Sequence, residues 1–500
     1  MKNLEEFVFG RVDGKNEAKE ELFLEYFFDH QDMYNKLENG KYLILGNKGT
    51  GKTFLLEYFR KKKEEEGNIF SDIYLESFFS KKDILQINKG VVDNTKLLKW
   101  IIYIELAKVI LSLDGIDMGN KEVKRLKRFM VKNQFELKLD TNKIVESSLE
   151  KGIKGSLNVE KGFFGGFFEK IKKINVKEKN GEYYEYIEDL ENVIIKILQE
   201  EWKSENFIYI IFDELDNIND FSKETYSILL NLIKVSNDLN NKWEKRVKIK
   251  ILMGMRLDIY LKLNATYTNK IKEDSGIVLG WGKYENWDSP LFKMIYHKMR
   301  VSDNSLNGLE DEAIRRKLFP FLKIRIHGKK IPIAKYILGK TLLRPRDIIC
   351  FFNRAKAVCR DKNSISAEDL QKIGNEFSEY IYTELRNQSH GIMEVELFDD
   401  GIRLLKNFRK TVFSYEEIKE NLEENESLFK HVTKFNLKEV ISNFYEIGLL
   451  GIIKTTNGHG QITCFKYKDD MEMSLKDEFA IHYGIRGHLK LNIENNLSDN

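Results

Sequence analysis

The chain has 500 residues, more than a single compact core accommodates, so two or three domains are expected. At 42% hydrophobic, 12% aromatic and 32% charged, with only four prolines and no Gly/Ser-rich tract, it is excluded from the disordered and long-linker classes. The 82 basic and 79 acidic residues nearly cancel, which gives no global attraction to nucleic acid or anionic membrane, so any basic surface must be local. Three cysteines (Cys350, Cys359, Cys464) cannot build a disulfide framework, no Cys/His spacing resembles a zinc site, and the usage fits a reducing cytosol. The charged opening MKNLEEFVFGRVDGKNEAKEE does not read as a secretory signal. The most apolar stretch, 100–113, is interrupted by Glu105 and Lys108 and reads as a buried helix rather than a membrane span; no membrane partner is expected.

Along the first 300 residues, short β-rich runs alternate with helical patterns. Strands are expected at 41–45 (KYLIL), 69–75 (IFSDIYL), 207–212 (FIYIIF) and 247–253 (VKIKILM), with amphipathic helices such as 53–63 and 188–203 between them. Strands separated by helices imply a parallel, three-layer α/β sheet, and the wholly apolar FIYIIF suits a central strand covered on both faces. An excursion of more than 100 residues separates the second and third strands. It contains the basic helix-like segment KEVKRLKRFMVK (Lys121–Lys132) and the aromatic patch KGFFGGFF (161–168), and is expected to be a helical insertion with some hairpin content. From 302 to 386 the chain reads as helices punctuated by Pro320, Pro332 and Pro345, with an N-cap signal in SISAEDL (364–370). The last 110 residues carry three short amphipathic helices, then two β-rich runs around NGHG (457–460), the order of a winged-helix domain.

The segment 46–53, GNKGTGKT, matches G-x-x-x-x-G-K-[ST] between a predicted strand and a predicted helix. Gly46, Gly49 and Gly51 allow the backbone to curl so that N–H groups, those of Asn47, Lys48 and Thr50 among them, turn inward around phosphate oxygens. Lys52 would reach the β- and γ-phosphates, and the Thr53 hydroxyl would bind Mg²⁺. A second acid is needed at the end of a neighbouring strand, and FIYIIFDELDN supplies it: Asp213 for the metal and Glu214 as general base on the attacking water, with Asp216 a rival for either role. A water-activating glutamate beside the metal acid favours hydrolysis over transfer to a small acceptor.

Arg256 closes another predicted strand (KILMGMR), where it could stabilise γ-phosphate charge in cis or in trans; the competing reading is a surface pair with Asp258. In LLRPRDII, Arg344 and Arg346 open a helix whose first turn is set by Pro345 and could contact nucleotide; the competing reading is an Arg346–Asp347 surface pair.

FGRVDGKNEAKEE, GNKGTGKT, IIFDELDN, MRLDIY, TNKIKEDSGIVLGW and TLLRPRDIICFFNRA together resemble bacterial P-loop ATPases of the FunZ type, and the tail motifs ISNFYEIGLLGII and IHYGIRGHLKLN do so too. These are AAA+/STAND-like proteins ending in a winged-helix-like region. The resemblance spans nearly the whole chain except about 115–185. It implies an α/β fold: a three-layer P-loop NTPase core of the AAA+/ASCE type at 1–300 with the helical insertion at about 115–185, a helical lid at 301–388, and a winged-helix-like domain at 389–500. It further implies Gly46, Gly49, Gly51, Lys52 and Thr53 as the Walker A loop, Asp213 and Glu214 as the Walker B pair, Arg256 at the sensor-1 strand, and Arg344 or Arg346 at sensor 2. Gly10 and Arg11 fall where related ATPases wrap the adenine. Asn47 stands where relatives often have a basic residue, and Arg256 replaces the usual polar sensor. ATP and Mg²⁺ are the implied cofactors. Several relatives lie in genomic neighbourhoods linked to mobile elements and antiphage defence.

Three readings of the task follow. In one, nucleotide state controls DNA engagement through the winged helix, with recognition helix 436–447, Lys430, His431, Lys434 and Lys438 nearby and Lys454 on the hairpin, or through the basic segment Lys121–Lys132. Against the first route, residues 391–500 hold 14 basic and 19 acidic side chains. In the second, ATP drives homo-oligomerisation of a signalling switch whose tail grips an effector protein. In the third, the chain is a catalytically weak nucleotide-binding scaffold. The aromatic patch at 161–168 reads as core, as do Cys350 and Cys359.

Overall fold

The computed structural model describes the chain apart from residues 75–93, 133–181, 203, 216–222, 264–265, 327–328, 391, 456–459, 470 and 492–500. Asp216, the patch at 161–168 and most of the expected turn at 457–460 therefore lie outside the described residues. Two compact units share the chain: one holds Asp32–Asn47 and Leu55–Leu279, the other Met1–Gln31, Lys48–Phe54 and Gly280–Asn500.

In the first unit a five-stranded sheet has the order β2-β3-β4-β1-β5. Its strands are β1 (Leu43–Leu45), β2 (Ile69–Asp72), β3 (Ile208–Phe212), β4 (Ile249–Met255) and β5 (Gly276–Val278), and every neighbouring pair is parallel. All residues of β1 and β3 are buried, as a sheet covered on both faces requires. Helices accompany it: α1 (Lys52–Glu65), α2 (Asn94–Ser112), α3 (Lys121–Lys132), α4 (Glu182–Glu200) and α5 (Lys223–Trp243). α2 is buried over most of its length, and the two charges interrupting its apolar run satisfy each other, Lys108 Nζ lying 3.1 Å from Glu105, which also accepts 2.7 Å from Ser71 Oγ. α3 buries Val123, Leu126 and Met130 and exposes Lys124, Arg125, Lys127 and Arg128. Part of this basic face is neutralised locally, because Arg125 lies 3.6 Å from Asp189 and 3.8 Å from Glu122.

Four strands were legible in the sequence; β5 was not. Three residues after a polar helix (Thr266–Ser275) leave no periodicity to read, and only pairing with β1 makes them a strand.

The longer helices of the second unit include α6 (Pro290–Ser302), α7 (Pro345–Val358) and α8 (Ala367–Ser389), with a small antiparallel hairpin of β6 (Lys323–Ile326) and β7 (Lys329–Pro332) between α6 and α7. The expected boundary at 300/301 falls inside α6. Ser366 and Asp369 form a capping box that starts α8, within the 364–370 cap signal. The C-terminal segment follows as α9 (Val395–Phe408), β8 (Val412–Phe413), α10 (Tyr415–Glu424), α11 (Leu437–Glu446), β9 (Leu450–Thr455), β10 (Gln461–Cys464) and β11 (Glu478–Ile481). Its antiparallel sheet runs β10-β9-β11-β8, so β8 and β11 add two strands to the expected helix-and-hairpin order. One continuous apolar core, from Leu4 and Phe7 through Phe351 and Phe377 to Phe444 and Leu489, fills this unit. Cys359 and Cys464 are buried and Cys350 half-buried; burial raises all three thiol pKa values, that of Cys359 to about 11. Among the described residues, no helix is long and apolar enough to cross a membrane.

Candidate functional site

In a parallel sheet all strands deliver their carboxyl ends to one edge. That edge of the first unit carries Gly46 after β1, Asp213 and Glu214 after β3, and Arg256 after β4. Gly46 N donates to Met255 O and Gly46 O accepts from Leu257 N, both at 3.3 Å, so the first loop glycine brackets Arg256. Asp213 is 7% exposed and lies over Gly254: a Cβ built there would stand 2.6 Å from Asp213 Oδ1 and 3.3 Å from Leu56 Cδ1, in the second turn of α1. Sequence reasoning missed Gly254, a glycine in a central strand being a sign of close approach. Glu214 sits at φ +56°, a left-handed conformation that costs a non-glycine residue on the order of 1 kcal/mol and is commonest at functional sites.

Arg256 is half-buried and grips Asp258 in a fork, Nε to Oδ1 at 3.0 Å and Nη2 to Oδ2 at 2.6 Å. Burial raises the Asp258 pKa, but the bonds from Arg256 outweigh it and the carboxyl is held below its ordinary value. The pair weighed against a phosphate-facing arginine is thus the arrangement found.

The second unit contains Lys48–Phe54, the apex of the loop and the start of α1. Gly49 and Gly51 have φ of +84° and +98°, which no side chain adopts without strain. Thr50 and Lys52 are buried. A backbone curled with its N–H groups inward turns its carbonyls outward, where they need donors. Three successive carbonyls find them in this unit. Lys48 O accepts from Arg344 Nη1 at 3.0 Å, Gly49 O from the Arg346 backbone N–H at 3.4 Å, and Thr50 O from Trp281 Nε1 at 2.9 Å. Asn47 and Thr53 complete the motif on either side.

Arg344 caps α7, with Pro345 in the first turn as expected. It is 4% exposed; besides Lys48 O, its guanidinium donates to Asp347 Oδ2 from Nε at 3.0 Å, to Asp347 Oδ1 from Nη2 at 2.6 Å, and to Glu384 at 3.2 Å. Burial alone would lower its pKa; the Asp347 charge and hydrogen bonds outweigh that and raise it. Asp347 is fully buried and further accepts from Leu342 N at 2.9 Å and Tyr380 Oη at 3.0 Å. Asp347 is therefore the partner of Arg344 rather than of Arg346, correcting the surface-pair alternative. Arg346 instead lies 3.5 Å from Glu384. Arg344, expected at the nucleotide, directs these bonds to the outer wall of the loop.

α7 also holds the N-terminal turn. Asn353 Nδ2 donates to Gly10 O at 2.9 Å, and Arg11 N donates to Glu17 Oε2 at 2.9 Å. Glu17 is buried and its Oε1 accepts from the equally buried Lys298 Nζ at 2.9 Å. The Arg11 guanidinium lies outward on Glu20 at 2.5 Å. Glu17, Lys298, Asn353 and Trp281 escaped sequence reasoning because each acts through a partner hundreds of positions away or through one backbone atom.

Hard oxygen donors on Thr53 and Asp213 suit Mg²⁺. Among the described residues, no group of three or more His, Cys, Asp or Glu could hold a metal by itself.

In the C-terminal segment a helix lies where 436–447 was expected, α11 with Asn436 at its cap, and its exposed side chains include Lys438, Glu439 and Glu446. Lys454 is paired with Asp477 at 2.6 Å.

The strand order, the glycine loop after β1 and the acidic pair after β3, with β4 between them, define a P-loop NTPase of the AAA+-like class. Residues 290–386 match the family described as FunZ-associated C-terminal helical domain, which bears out the resemblance to FunZ-type P-loop ATPases read from the motifs. A search of curated proteins finds no match. Among solved structures, the chain is similar to Orc1 of Aeropyrum pernix in complex with DNA (10% identity, 94% of this chain and 96% of that one, TM-score 0.39). It is also similar to ORC2 of the same organism with ADPNP and ADP (10%, 95% and 96%, TM-score 0.42) and to the RuvB branch-migration motor of Thermotoga maritima (12%, 90% and 92%, TM-score 0.29).

Proposed function

We propose that the chain is an Mg-dependent ATPase whose nucleotide state is passed through the helical lid to a C-terminal winged-helix domain that engages DNA, in the setting of mobile elements or antiphage defence. Lys52 and the loop amides bind the phosphates, Thr53 and Asp213 hold magnesium, and Glu214 activates water. Gly10 and Arg11 serve the base, and Arg256 and Arg346 serve developing phosphate charge, Arg256 after leaving Asp258. Arg344 positions the loop. Magnesium, when bound, neutralises charge on the β- and γ-phosphates.

The observation that carries the reading is the triple anchorage of Lys48, Gly49 and Thr50 carbonyls, which ties the loop directly to α7 and Trp281. ATP binding and turnover should be lost in Lys52→Ala. Glu214→Gln should bind ATP yet turn over on the order of 100-fold more slowly, whereas little change would mark a scaffold. DNA should stimulate the rate with steep salt dependence; a rate indifferent to DNA would reject that part of the reading.

The excess of acidic over basic residues in 391–500 favours a second reading, an ATP-assembled homo-oligomeric switch that binds an effector protein. It requires oligomers that appear with ATP and vanish in Lys52→Ala.

A further inference from the structure

One turn of the acidic C-terminal segment is locally basic. The turn between α10 and α11 exposes Lys430, His431 and Lys434, with Lys438 following on the first turn of α11 and no acidic residue from 430 to 438. At its tip Phe435 is 88% exposed, more than the other large apolar residues described, Tyr284 at 70% among them. Lys434 Nζ lies 5.3 Å from the centre of its ring. A ring so exposed gains nothing from the fold.

The turn is built to hold it there. Asp400, buried on α9, accepts from the backbone N–H of Lys430 at 2.9 Å and of His431 at 2.8 Å, and from His431 Nδ1 at 3.1 Å. Asn436 spans the other side, its Oδ1 accepting from Thr433 N and its Nδ2 donating to His431 O, each at 2.7 Å. Val432 and Leu437 anchor both ends in the core. An exposed aromatic ring is thus presented on a braced turn, with Lys434 beside it.

We propose that Phe435 is a stacking platform for an unpaired DNA base, with Lys430, Lys434 and Lys438 taking the flanking phosphates. Cations favour a polyanion, and an aromatic face accepts any base without reading its edge. The inference rests on the DNA reading above and assigns the contact to the turn rather than to the outer face of α11.

The test uses the full chain and a labelled 30-nucleotide single strand and its duplex, followed by fluorescence anisotropy. Phe435→Ala should weaken single-strand binding about tenfold, the stacking range for one base, and duplex binding much less. Because the side chain is exposed, folding should be unaltered. Phe435→Trp should retain affinity, with indole emission quenched on binding. Lys434→Ala should lower the salt dependence by about one phosphate contact. Wild-type binding with Phe435→Ala unchanged, equal losses on single strand and duplex, or an unquenched Phe435→Trp would each overturn the platform while leaving DNA engagement standing. Absence of binding to either DNA with every nucleotide would overturn both.

Discussion

The guanidinium of Arg344 donates a 3.0 Å hydrogen bond to the carbonyl of Lys48, while its remaining donors go to Asp347 and Glu384. One buried arginine therefore joins the outside of the phosphate loop to α7 and α8.

Removing that cation leaves two carboxylates buried without it. Arg344→Ala should cost about 3–5 kcal/mol of stability, read by denaturant unfolding. Arg344→Lys keeps the charge but loses the fork, so it should recover only part of the loss.

Gly254 lets Asp213 lie flat on β4. In Gly254→Ala the new methyl would stand 2.6 Å from Asp213 Oδ1, so the carboxylate must move. Turnover should fall on the order of 100-fold, as misplacement of a catalytic group by about 1 Å does. Magnesium titration should show a raised requirement, with ATP binding largely kept.

The Glu17–Lys298 pair, at 2.9 Å, holds the turn bearing Gly10 and Arg11. Lys298→Met should destabilise by about 3–5 kcal/mol because it strands the Glu17 carboxylate, whereas Glu17→Gln combined with Lys298→Met should restore much of that. Thermal melts of the single and double variants give the comparison. Affinity for ATP should stay low in the double variant, since Arg11 N no longer meets a carboxylate.

His482 is fully buried, accepts from Gly484 N at 3.0 Å through Nδ1, and meets Tyr467 Oη at 3.0 Å through Nε2. Burial, then repulsion from Arg486, pushes its pKa down to about 3. The unfolded imidazole titrates near 6.5, so this residue's contribution is complete above about pH 6.5 and is lost as pH falls toward 3. Stability measured from pH 7 to 4 should fall with a component of about 1.4 kcal/mol per pH unit. That component should be missing in His482→Gln.

The loop was legible because its chemistry is local: glycines, lysine and threonine at fixed spacing, between a short apolar run and an amphipathic one. The Asp213–Glu214 pair was legible for the same reason, as were the N-cap at Ser366 and the helix start at Pro345. β5 and β11 were not: neither stood out as a run of its own, and pairing picks them out, β5 with β1 and β11 with β8 and β9. The arginines were legible as positions but not as roles. Arg256 had both Asp258 and a phosphate as open partners, and its ion pair with Asp258 appears only in three dimensions.

Covalent order, then, determines the glycine-rich loop after β1, the acidic pair after β3 and the alternation that makes a parallel sheet, since each depends on residues close in sequence. Tertiary structure alone decided that Arg344 faces the loop's outer carbonyls, that Gly254 makes room for Asp213, and that Phe435 stands in solvent on a braced turn. These depend on which donor reaches which acceptor once the chain has folded, and burial makes an unmet polar group costly enough to select one pairing.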